Sequence, residues 1–319
     1  MTSFSPLTVV VLAGGISHER DISLRSGRRV ADGLTALGHT VTMREPDASL
    51  LAFLTENRPD VIWPALHGAS GEDGALRALL AQADIAFVGS ESDAARLAWS
   101  KPTAKTLVGR AGIATPESVT LPTEAFRELG ASSVLDTILA NLGTPLVVKP
   151  AQGGSAQGVT IVDDPADLPR AMVDAYTYAD VALIERKIVG TEIAVTVIDT
   201  GDGPTALPAV EIVPLAGVYS FEARYNAGET RFYTPARLDA DVADAAARTA
   251  VLAHETLGLR HVSRIDLIVD AEGTAWFLEA NVLPGLTETS LVPQAFEAAG
   301  LEQGAVYAGL AEQAIRDHA

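Results

Sequence analysis

Strands and helices alternate through the first hundred residues with little slack between them, and this limits the possible folds most. Thr8–Leu12 (TVVVL) is a largely β-branched run, the composition of a strand buried on both faces of a parallel sheet. It runs into Ala13-Gly14-Gly15-Ile16-Ser17, and a helical stretch follows over about 22–37, stopped by Gly38 in the C-cap position. Residues 41–43, 61–66 and 85–88 read as further strands, and 76–82 as a helix. Strand, helix, strand in this order requires a parallel sheet with crossover helices, and it places ligand-facing loops at the strand C-termini.

Composition narrows the function. The chain has 319 residues, room for two or three domains, and 48% hydrophobic residues give enough apolar material for real cores. Its formal charge is −18, of which residues 191–319 carry −12 (19 acids against 7 bases). Such a surface repels phosphate backbones and anionic lipid, which argues against a nucleic-acid partner or a membrane surface. Cysteine is absent, so there is no disulfide framework, thiolate nucleophile or Cys-built zinc site. The N-terminal run stops at Gly14-Gly15 without a basic flank and reads as a strand rather than a signal peptide. No stretch approaches the roughly 20 apolar residues of a membrane span. A soluble, intracellular protein is expected.

The middle section, 96–187, opens with one helix from 93 to about 112 and continues with a Pro-containing segment and a helix over about 134–142. A strand at 146–149 leads into the glycine-rich 150–158, with a returning strand at 159–162 and another at 181–185. The last section, 188–319, shows strands at 192–198, 209–213, 264–269 and 275–280, and helices over about 240–257 and from 304 to the end.

Several loops carry chemistry. Gly14-Gly15-Ile16-Ser17-His18-Glu19 joins a strand to a helix but lacks the later glycines of the dinucleotide fingerprint; it is either an ordinary turn or a small-ion site with Glu19 binding a cation. The segment 67–74 (HGASGEDG) suits close backbone approach, although Glu72 or Asp73 is equally at home complementing a helix dipole. In 149–158 (KPAQGGSAQG) the lysine precedes the glycines and the loop joins two strands. That arrangement fits a flap of backbone N–H groups over nucleotide phosphates, with Lys149 as a point charge. All four lysines of the chain (Lys101, Lys105, Lys149, Lys187) lie in the middle section, against 19 arginines overall.

The hairpin around Asp270-Ala271-Glu272-Gly273-Thr274 is the most informative. Arg264 and Asp266 share one strand face, as do Glu279 and Asn281. A loop of even length brings all four to one side; an odd one separates them. Together, two carboxylates and an amide oxygen are hard ligands suited to Mg²⁺ bridging phosphates. The following Asn281-Val282-Leu283-Pro284-Gly285 offers a glycine N–H for an oxyanion. The six histidines show no metal spacing, and neither G-x-S-x-G nor a Walker A motif is present.

In this order, GGISHERDIS, HGASGEDG, KPAQGGSAQGV, LIE at 183–185, EARY at 222–225, SRID at 263–266 and EANVLPGLTETSLVP at 279–293 make a set that resembles the D-alanine–D-alanine ligases of the ATP-grasp superfamily. The resemblance implies an α/β, three-domain ATP-grasp fold: an N-terminal Rossmann-like parallel-sheet domain (1–95), a central ATP-grasp subdomain (96–187) and a C-terminal catalytic domain (188–319). It implies a cytoplasmic homodimer making peptidoglycan precursors, with ATP as co-substrate and two Mg²⁺ (or Mn²⁺). By that resemblance Glu19 holds the ammonium of the first D-alanine within a Glu19–Ser155–Tyr225 set, with His67 nearby. Lys101 and Lys149 reach ATP phosphates and Arg224 belongs to the ATP site; Glu185, Arg186 and Ile188 line the adenine pocket, and Glu192 takes the ribose hydroxyls. Asp266, Glu279 and Asn281 hold the metals, Arg264 and the Gly285 N–H stabilise an oxyanion, and Ser290 and Leu291 receive the second substrate. The chain departs from the family pattern at Arg224 (usually Lys), Ala156 (usually Ser), Val282 (usually Thr) and the Tyr-poor run Val218-Tyr219-Ser220-Phe221. D-Serine, D-lactate or another D-amino acid therefore remain alternative acceptors.

Overall fold

The computed structural model describes residues 6–215, 217, 219, 223–224, 226 and 228–319. Three sheets follow one another along the chain. Strands β1 (Thr8–Leu12), β2 (Thr40–Arg44) and β3 (Val61–Pro64) form a parallel sheet in the order β2-β1-β3. Apolar side chains alternate across β1, so both faces are covered: helix Arg20–Ala36 packs Val30, Ala31 and Leu34 on Val9 and Val11, while Leu50, Leu54 and Leu80 cover Val10 and Leu12.

The second sheet is antiparallel, order β4-β7-β5-β6, from β4 (Ser118–Pro122), β5 (Leu146–Pro150), β6 (Thr160–Val162) and β7 (Val181–Arg186). Its core is Leu146, Val148, Ala182 and Ile184 beneath helices Ala131–Leu142 and Leu168–Tyr176. The third sheet contains β8 (Thr191–Ile198), β9 (Thr205–Ala206), β10 (Val210–Pro214), β11 (Thr230–Tyr233), β12 (Val262–Val269) and β13 (Ala275–Asn281), order β11-β10-β8-β12-β13 with β9 on β8. Helix Ala240–Thr256 covers one face with Ala246, Ala250 and Ala253. On the other, helices Leu291–Ala298 and Gln303–His318 fold back to share a core with the first sheet, where Tyr307 meets the Trp63 ring edge-on at 5.3 Å.

Two expected elements differ. The single helix over 93–112 is two helices, Ser92–Trp99 and Lys101–Arg110. Ser100 is extended between them (φ −88°, ψ 97°), since Pro102 has no N–H with which to continue the first helix. The break puts Lys101 at a helix start, where its N–H donates to the Ala151 carbonyl at 2.9 Å. The strand expected at 85–88 is reduced to one bridge, Ile62 to Phe87, because Asp84 (φ 54°) and Gly89 (φ 107°) turn the chain away on either side. No described helix is long and apolar enough to cross a membrane.

Candidate active site

The hairpin β12–β13 is built on an odd turn. Val269 pairs Ala275, Ile268 pairs Trp276 and Leu267 pairs Phe277, leaving five residues in the loop. Continued unchanged, that register would put Leu278 opposite Asp266 and turn Glu279 to the other face. The register instead shifts between Asp266 and Leu267: Leu278 is the extra residue of a β-bulge, Asp266 pairs Glu279, and Arg264 pairs Asn281. The convergence expected from an even loop is thus produced by a bulge. Arg264 grips Asp266 through two bonds (Nε 2.7 Å, Nη2 2.8 Å), and Asn281 Nδ2 donates to the same carboxylate at 3.2 Å.

Facing this hairpin is the cationic edge of the second sheet. Lys101 Nζ lies 3.0 Å from Glu279 Oε2 and 2.5 Å from the carbonyl of Gly153, so it ties the glycine loop to the hairpin. Lys149, on β5, and Lys105 both bind Glu185 of β7, Lys105 at 2.5 Å. A cavity of about 330 Å³ lies between the two sheets. Lys101, Lys149, Glu185, Arg186 and Ile188 line one side; Glu192, Arg224, Asp266 and Glu279 line the other.

A second, smaller cavity of about 110 Å³ adjoins it. It gathers Glu19, His67, Ser155, Arg264, Asn281, Gly285, Ser290 and Leu291, which come from all three sections of the chain. Gly154, Tyr219 and Arg224 line both cavities. Ser155, held with Ala156 in the left-handed region (φ 53° and 56°), donates through Oγ to Glu19 Oε1. Ser290 stands at the N-cap position of helix Leu291–Ala298, and its Oγ, instead of bonding the first turn, accepts from the Thr287 N–H at 3.0 Å. Every expected site residue lines one of the two cavities except Tyr225, which lies outside the described residues.

Burial and charge set the protonation pattern. Burial pushes Glu279 up, but Lys101, Arg224, Lys149 and Arg264 outweigh it and hold the carboxyl down to about 2. Burial, with the negative charges of Asp266 and Glu279 nearby, raises Glu192 to about 7 although Arg224 opposes. His67 is lowered by burial and so is neutral at pH 7; among the described residues its Nε2 has no hydrogen-bond partner.

Asp266, Glu279 and Asn281 suit a hard divalent cation: two adjacent carboxylates and an amide, each already held in place by neighbours. Among the described residues no three His, Cys, Asp or Glu side chains gather into a metal cluster. Remaining positions on such an ion would be left to water and phosphate oxygens, the usual arrangement for Mg²⁺.

Sequence reading missed three residues. Glu72 is not only a helix-dipole acid: Oε1 accepts from the Gly68 N–H at 2.8 Å, and the side chain lines the smaller cavity. Burial and the Glu19 charge raise it to about 8. Tyr219 lies beneath the Arg224 guanidinium, 4.3 Å from carbon to ring centre. Lys105 is the third. The lysine count pointed at its section, but nothing local marked its partner 80 residues away.

Two α/β units closing on one cleft, lysines on one wall and carboxylates on the other, define the ATP-grasp class. Residues 107–312 match the family described as D-ala D-ala ligase C-terminus. A D-alanine–D-alanine ligase of Gloeobacter violaceus is 42% identical over 300 residues, 93% of this chain and 95% of that protein. The VanG D-Ala:D-Ser ligase of Enterococcus faecalis superposes with a TM-score of 0.84 at 26% identity, covering 97% of this chain and 100% of the other. The D-alanine–D-alanine ligase of Bacillus anthracis also gives 0.84 at 26%, with 98% of each chain covered. The chain belongs to the D-alanine–D-alanine ligase family.

Proposed function

We propose that this protein is an ATP- and Mg²⁺-dependent ligase that joins two D-alanines into D-alanyl-D-alanine for peptidoglycan precursor synthesis. The observation that carries this reading is the meeting of two cavities at one hairpin: Asp266 and Glu279 face the larger, Arg264 and Asn281 the smaller. A nucleotide in the first and an amino acid in the second would bring a γ-phosphoryl group beside a carboxylate.

Glu185, Arg186 and Ile188 would surround the adenine, Glu192 would take ribose hydroxyls, and Lys101, Lys149 and Arg224 would bind phosphates. Glu19, steadied by Ser155, would hold the first D-alanine through its ammonium, with His67 beside it. Asp266, Glu279 and Asn281 would hold Mg²⁺, which when bound neutralises charge on the transferring phosphoryl group. One carboxylate oxygen of the first D-alanine then forms a bond to the γ-phosphorus as the bond to ADP breaks. The neutral amine of the second D-alanine, received at Ser290 and Leu291, attacks the acyl phosphate carbon. The tetrahedral oxyanion is met by Arg264 and the Gly285 N–H; the C–O bond to phosphate breaks and the amine loses its proton. Arg264 enters this step already fixed by its two bonds to Asp266, so little reorganisation is needed. The three units 1–95, 96–187 and 188–319, a homodimer and a cytoplasmic site belong to the same reading and rest on the family resemblance.

Phosphate release with ATP, Mg²⁺ and a panel of D-amino and D-hydroxy acids, products read by mass spectrometry, tests the proposal. The expected result is D-alanine-dependent release with D-alanyl-D-alanine as product, outcompeting the D-lactate ester at pH 7–8 and increasingly so as pH rises and more amine is neutral. Product only when D-serine, D-lactate or another acceptor is added would replace the second substrate.

A further inference from the structure

Lys101, Lys149 and Lys187 line the large cavity, and Lys105 is the one lysine of the four that does not. Lys105 lies one turn beyond Lys101 on helix Lys101–Arg110 and is 4% exposed. Its ammonium takes Glu185 Oε2 at 2.5 Å, while Lys149 takes Oε1 of the same carboxylate. One buried carboxylate is therefore divided between two buried ammoniums, and the group keeps one net positive charge. Burying an ion pair gives little stability by itself, and burying a third charge costs more. An odd charge fixed behind a cavity wall is explained by an anion in that cavity.

We propose that Lys105 is a positioning residue for nucleotide binding: by holding half of Glu185, it keeps the charge of Lys149 from being cancelled and leaves that charge for the triphosphate. Without Lys105, Glu185 and Lys149 would neutralise each other one to one, and the wall would present only their dipole. The inference rests on the cavity being the ATP site.

Titration calorimetry on the full chain with ATP and with inorganic tripolyphosphate, which lacks a base, separates charge from adenine contacts. Three proteins are needed: the wild type, Lys105→Met and the double variant Lys105→Met/Glu185→Gln. The single variant should bind both ligands roughly tenfold or more weaker, with the KM for D-alanine changed by less than about twofold, as for loss of one charge near the phosphates. In the double variant Lys149 is again uncompensated, so tripolyphosphate affinity should recover most of that loss. Unchanged affinity in the single variant overturns the inference, as does a double variant that binds tripolyphosphate no better than the single. A wild type that binds no ATP would overturn the nucleotide reading itself and the inference with it.

Discussion

Replacing Glu279 by Gln keeps the shape of the hairpin and removes one charge. Lys101, 3.0 Å away, leads the cations that hold this carboxyl at about 2 against an ordinary 4.5. A depression of that size corresponds to about 3 kcal/mol favouring the ionised folded state. Because the folded value lies below the unfolded one, the contribution is complete above pH 4.5 and disappears as pH falls through 2. Glu279→Gln should therefore lower unfolding free energy at pH 7 by up to about 3 kcal/mol and flatten its slope between pH 4.5 and 2, both measurable by urea titration. The protein should remain folded at 25 °C, and phosphate release should fall more than about 100-fold, since even an outer partner of a metal ligand is worth 10–100-fold. Near-normal turnover at low Mg²⁺ would refute the metal site on this hairpin.

Arg264→Ala should cost roughly 2.7–4 kcal/mol in kcat/KM with kcat carrying the loss; a change confined to KM would mean that Arg264 only binds a ground-state carboxylate. Glu72→Gln should be more stable than the parent at pH 8, because the folded carboxyl is raised to about 8 by burial and Glu19. That gap should reach up to about 4 kcal/mol and close as pH falls to 4.5, where the unfolded chain also binds the proton; a gap independent of pH in urea titrations would contradict it. Gly74 has φ +88°, and a Cβ there would lie 2.3 Å from the Ser92 carbonyl oxygen. Gly74→Ala should thus lose at least about 2 kcal/mol, of which the left-handed backbone explains 1–2, and a melting curve matching the parent's would show that the loop yields freely.

The parallel sheet was legible because β-branched runs and glycine stops are local signals. Helices Leu168–Tyr176 and Leu291–Ala298 were not among the expected elements; each carries a proline, Pro169 and Pro293, in a first turn where no N–H is needed. At Pro102 the helix was expected, but the break before it was not. The four hairpin residues singled out by strand alternation do lie opposite one another, while the condition attached to them failed. Turn length alone does not fix facing, because a bulge at Leu278 inserts one residue without any sequence mark. Glu72 and Lys105 stayed hidden for a related reason: their roles come from contacts made only after distant segments pack, Lys105 with Glu185 and Glu72 beside Glu19.

In the proposed reaction, the γ-phosphoryl group of ATP is transferred to the carboxylate of an amino acid before the peptide bond forms. D-Alanine labelled with ¹⁸O in both carboxylate oxygens tests it directly, with the released phosphate analysed by mass spectrometry. Transfer through an acyl phosphate places one ¹⁸O in each phosphate for every dipeptide made. Phosphate that carries no label while dipeptide accumulates would contradict the account.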